Sequence, residues 1–103
     1  MSQFIADRKE IDFILYELLD AEDLLSFEKY GDFSKKMFDM MITEARKTAI
    51  KEILPTLADS DKNGVRFENG QVLAPESFRK ARQAVIDSEL TSTMEDPEWG
   101  GQG

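Results

Sequence analysis

Apolar residues recur every three or four positions in three separate stretches of this chain, a spacing that predicts three amphipathic helices. In the first stretch, DRKEIDFILYELLDAEDLL, residues Ile11, Ile14, Leu15, Leu18 and Leu19 form a stripe suited to a partner surface, and the helix is expected over about residues 8–22. Asp7 and Glu10 stand three apart at its start, the pattern of a capping box, in which a side-chain oxygen accepts from an early backbone N–H and a carboxylate reaches back. A connector, SFEKYGDF, is marked by Gly31. The second stretch, SKKMFDMMITEARKTAIKEIL, is the longest. Phe38, Ile42, Ala45, Ala49 and Ile53 share one stripe, and Met37, Met41, Ile50, Leu54 and Leu57 widen it enough to meet more than one neighbour. Met37, Met40 and Met41, with Met94 if the end folds back, offer either an adaptable surface or a flexible core filling, and filling is the favoured reading. Pro55 removes a backbone donor and disfavours helix at Leu54, so the helix is expected to kink or end there.

Farther on, VRFENGQVLAP alternates loosely around Asn-Gly, a dipeptide that favours a tight hairpin turn, so a short two-stranded excursion is expected near residues 65–74. Pro75 suits the first turn of a third helix, PESFRKARQAVIDSEL, whose apolar side is Phe78, Ala81, Val85, Ile86 and Leu90. The ending MEDPEWGGQG, with three glycines and a proline around one tryptophan, is not expected to form regular structure. These elements imply an all-α architecture, a small bundle of about three to four helices with antiparallel neighbours where connections are short.

Composition narrows the chemistry. At 103 residues the chain fits one small domain with little stability to spare, and its net charge of −8 disfavours nucleic acid or an anionic membrane as partner. The basic pairs Lys35-Lys36 and Arg46-Lys47 and the cluster Arg79, Lys80, Arg82 read as solvated helix faces. With no cysteine there is no disulfide, thiolate zinc site or thiol nucleophile, and with no histidine the Ser-His and Cys-His arrangements are excluded. The start MSQFIADRKE lacks the basic end and apolar run of a signal peptide, so a cytoplasmic location is expected. The segment DSDKNGVRFENG opens like an EF-hand loop, with oxygen-bearing side chains at its first, third and fifth places and glycine at the sixth. Its twelfth place, however, is Gly70, and Glu68 comes two residues too early. A polar turn is the favoured reading, and a calcium-binding helix pair is the alternative.

Four segments taken in order carry a resemblance: DRKEIDFILYELLD, then EARKTAIKEILP, then DKNG running into FENGQVLAPESF, then EDPEWGGQG. Together they resemble the N-terminal portion of acyl-coenzyme A dehydrogenases, in the subgroup with an N-terminal extension, over nearly the whole chain. In that family a proline near the end of the long helix is followed by an Asp-x-x-Gly turn, which Pro55 and Asp61-Lys62-Asn63-Gly64 match, so the acidic segment reads as an inter-helix connector. A glycine is usual just after the third helix, where this chain departs with Ser88-Glu89.

The resemblance implies an N-terminal helical segment of a larger enzyme whose flavin and catalytic domains lie outside residues 1–103. In such an enzyme a carboxylate takes the pro-R α-proton of an acyl thioester while hydride passes from the β-carbon to FAD, giving trans-2-enoyl-CoA. No catalytic, cofactor-binding or metal-ligating residue is assigned to this chain, and no cofactor is expected in it. It is expected to be inactive alone, serving as scaffold, substrate-side wall and oligomer contact. Its implied partners are the remaining domains, the acyl-CoA substrate and an electron acceptor of the parent; apolar faces left uncovered by the missing domains add a second copy, a homodimer expected through the helix from about Ser34 to Leu54 with helix one as a further contact. The competing reading is a small acidic helical protein-interaction module.

Overall fold

The computed structural model describes residues 5–103, and it is mostly helical with one small hairpin. Two compact units make up the chain, one ending at Arg46 and the other beginning at Lys47. Among the described residues, no helix is long and apolar enough to cross a membrane.

In the first unit, helix α1 (Arg8–Asp12) starts at Asp7, whose side chain accepts from the Glu10 N–H. This is the forward half of the expected capping box. The helix passes directly into a π-helical turn, Phe13–Leu18. Asp20 then takes a left-handed conformation with φ 50°, which an L residue other than Asn or Asp resists, and the helix stops there. The end therefore falls short of residue 22: Ala21–Ser26 form a separate 3₁₀ turn, and another lies at Glu28–Tyr30. The expected stripe is split: Ile11 and Leu15 are half-buried, while Ile14, Leu18 and Leu19 are exposed. Phe33 packs between Tyr30 and Phe38, with ring centroids 6.4 and 6.1 Å away. Helix α2 (Lys35–Thr48) begins after Ser34, whose hydroxyl accepts from the Met37 N–H.

In the second unit, a π-helical turn, Ala49–Ile53, leads to Pro55, where the expected break occurs. Helix α3 (Thr56–Asn63) begins at once. The acidic segment expected to be a polar turn is thus helical as far as Asn63, and the turn begins at Gly64, which has φ 61°. Strands β1 (Arg66–Glu68) and β2 (Gln71–Leu73) pair antiparallel, with Phe67 opposite Val72 and the Asn69-Gly70 step at the tip. Asn69 and Gly70 have φ 51° and 77°, the two positive values that a primed two-residue turn requires. Helix α4 (Glu76–Asp87) starts after Pro75 and presents Ala81 inward. Beyond its last turn, Glu89 takes φ 59°. The ending is more ordered than expected: Asp96 caps a single 3₁₀ turn, Pro97–Trp99, and the Gly101 and Gly103 N–H groups donate to the Asp96 and Glu95 carbonyls. A Cβ on Gly101 would lie 1.9 Å from the Glu95 carbonyl oxygen, so only glycine closes this turn.

Ala81 is the one buried apolar residue among those described, whereas nineteen large apolar side chains are exposed. Met37, Met40 and Met41 are among the exposed ones, and Met94 is 92% exposed, so core filling is not what these methionines do. Trp99 also stands largely in solvent.

Candidate functional site

Polar side chains gather at two places. In the first unit, Asp7 sets the start of α1 so that Arg8 lies one residue inside the helix, facing α2. The Arg8 guanidinium donates to Asp12 Oδ1 (2.7 Å), Asp39 Oδ1 (2.8 Å) and Thr43 Oγ1 (2.9 Å). Tyr16, one turn beyond Asp12, donates its hydroxyl to the same Asp39 oxygen at 2.8 Å. The Lys35 ammonium sits 4.5 Å from the Tyr16 ring centroid and 3.3 Å from Glu22. Desolvation, then the bond to Asp39 and its negative charge, push the Tyr16 phenol up to about 12. Neighbouring carboxylates, chiefly the hydrogen bond to Asp12, raise Arg8 above its already high value. Both shifts keep Tyr16 and Arg8 protonated near neutrality. Tyr16 is a hydrogen-bond donor that does not become a base near neutrality, and Arg8 is a fixed cation with its charge already met by two carboxylates.

In the second unit, Asp59 on α3 accepts from Ser77 Oγ at the start of α4 and from the Asn63 amide one turn along its own helix. Ser77 first, and Asn63 after it, hold the Asp59 carboxyl below the usual range. The Ser77 hydroxyl donates to a weak base with no imidazole between them, so it is not activated as a nucleophile. Asp59 and Asn63 border an open concavity of ≈ 910 Å³ that is also lined by Arg66, Glu76, Arg79 and Arg82. Arg66 is paired with Glu68 at 3.2 Å and Arg79 with Glu76 at 3.7 Å.

The geometry differs from that of an EF-hand loop. Asp59, Asp61 and Asn63 lie on alternate positions of a helix instead of converging from a loop, and both Asp59 oxygens already accept protein donors. Among the described residues no group of three or more acidic, His or Cys side chains is arranged to hold a metal ion. Arg8 in the first centre and Arg66 and Arg79 in the second are already engaged by carboxylates. Sequence reasoning nominated none of Arg8, Tyr16, Asp39, Asp59 or Ser77 as a site residue. Only Asp59 carried a signal, and that signal pointed to a metal.

Comparison of the chain with protein-family models, with curated proteins and with solved structures finds no match in any of the three.

Proposed function

We propose that the chain is the N-terminal helical segment of a FAD-dependent acyl-CoA dehydrogenase, the parent oxidising an acyl-CoA to its trans-2-enoyl product. One observation carries the reading beyond the resemblance: nineteen large apolar side chains are exposed and only Ala81 is buried among the described residues, the pattern of a segment whose core is completed by further chain. Glu89, a departure from the glycine usual in that family, takes the left-handed backbone common just after a helix. In this reading the segment supplies scaffold, substrate-side wall and oligomer contact in a cytoplasmic enzyme, and the flavin site and catalytic carboxylate lie in other domains. The test compares the isolated chain with the uninterrupted reading frame that contains it. The isolated chain stays colourless with FAD and does not dehydrogenate acyl thioesters, whereas the protein of the whole frame binds FAD and dehydrogenates them. Tight FAD binding by the 103-residue chain would overturn the assignment.

A second reading is favoured by the exposed side chains of Met37, Met40 and Met41 on α2, a face suited to an adaptable protein contact. The partner it commits to is a second copy, joined isologously through the segment from Ser34 to Leu54. Light scattering at high concentration then reports twice the chain mass, and a monomer mass refutes it.

A further inference from the structure

The sequence contains two Asn-Gly steps, Asn63-Gly64 and Asn69-Gly70, and the fold places them in opposite chemical situations. Asn-Gly is the step at which an asparagine amide is most readily lost, because glycine leaves the next backbone nitrogen unhindered. At Asn63 both reacting groups are held: the side-chain amide donates to Asp59, and the Gly64 N–H donates to the Ser60 carbonyl at 2.9 Å, closing the last turn of α3. At Asn69 neither restraint is present. The residue is exposed at the tip of two three-residue strands, and a Cβ built on Gly70 would meet nothing within 4 Å. A hairpin this short opens readily, so the tip samples the conformations the reaction needs.

We propose that Asn69 is a site of spontaneous covalent modification, deamidating through a succinimide while Asn63 is protected by the fold. The Gly70 nitrogen gives up its proton to solvent base and forms a bond to Cγ of Asn69. The Cγ–Nδ2 bond breaks, and the amide nitrogen leaves as ammonia, taking up a proton. Water then opens the five-membered ring at either carbonyl, yielding aspartate or isoaspartate, with no change of oxidation state. Aspartate retains the turn, since Asp-Gly also accepts positive φ, and adds a negative charge beside Glu68. Isoaspartate inserts an extra backbone carbon between Glu68 and Gln71 and breaks their register.

The experiment is peptide mapping by mass spectrometry of the full chain after incubation in mildly alkaline buffer, folded and in concentrated urea. In the folded chain Asn69 converts about tenfold faster than Asn63, the factor expected if one or two net hydrogen bonds must open at Asn63 first. In urea the two rates converge. Equal rates in the folded chain, faster loss at Asn63, or a difference that persists in urea would each overturn the proposal.

Discussion

Arg8 and Asp39, thirty-one residues apart in sequence, meet directly: Nη2 of the guanidinium donates to Oδ1 of the carboxylate at 2.8 Å. The same oxygen accepts from Tyr16, so one carboxylate joins α1 and its π turn to α2. Replacing Asp39 with alanine strips a partner from Arg8 and leaves the Tyr16 hydroxyl without its acceptor. Because Asp39 is 39% exposed, water offsets part of the loss, and the expected cost is about 1–2 kcal/mol. Urea unfolding measures it, and a change under about 0.5 kcal/mol, ordinary for a surface site, would show that the tie contributes nothing.

The Tyr16 phenol is raised from 10.0 to about 12, so the folded chain holds this proton more tightly than the unfolded chain. The resulting stability is fully present below pH 10.0 and is lost as pH rises through about 12. Near-ultraviolet titration of the chain and of its Tyr16→Phe variant assigns the late step to this residue. Asp39→Asn removes both the charge and the strong acceptor, moving the step down. A Tyr16 titrating at 10.0 in the unaltered chain would contradict the geometry.

Asp59 behaves in the opposite sense. Its carboxyl is lowered from 3.8, so its contribution is present above that value and disappears as pH falls through the folded one. Ser77→Ala removes the largest cause and raises the carboxyl, a shift read by NMR titration of the Asp59 side-chain carbon. Because both Asp59 oxygens already accept protein donors, millimolar calcium, enough to load even weak sites, leaves the thermal midpoint unchanged. A rise of several degrees in calcium but not in magnesium would overturn this.

Glu89 sits at φ 59°, two residues beyond α4, where an L side chain is strained and glycine is not. Glu89→Gly relieves that strain at some cost in unfolded-state entropy, for a net gain of about 0.5–1 kcal/mol in denaturant unfolding. A loss of the same size would mean that the side chain contributes something the backbone does not show.

Much of this fold was legible because it is local. The period of Phe38, Ile42 and Ala45 announced α2, and Asn69-Gly70 marked the turn of the hairpin expected near residues 65–74. The π turns were not legible, since Phe13–Leu18 and Ala49–Ile53 keep an ordinary helical apolar pattern and differ only in which carbonyl each N–H reaches. Helix α3 was hidden for another reason. Ser, Asp and Asn favour turns when read alone, and here Asp59 is drawn into a helix that it joins to Ser77, eighteen residues away. The Arg8 cluster left no trace at all, because charged residues carry no periodic signal and their pairing depends on which helix faces meet.

If these apolar faces belong to a flavin-dependent acyl-CoA dehydrogenase, as proposed, one spectrum decides it. The protein made from the uninterrupted frame is purified and mixed, without oxygen, with a saturated acyl-CoA. The expected result is a yellow protein carrying FAD whose visible absorbance bleaches as enoyl-CoA forms. A colourless protein, or a bound flavin that acyl thioesters do not reduce, would contradict it.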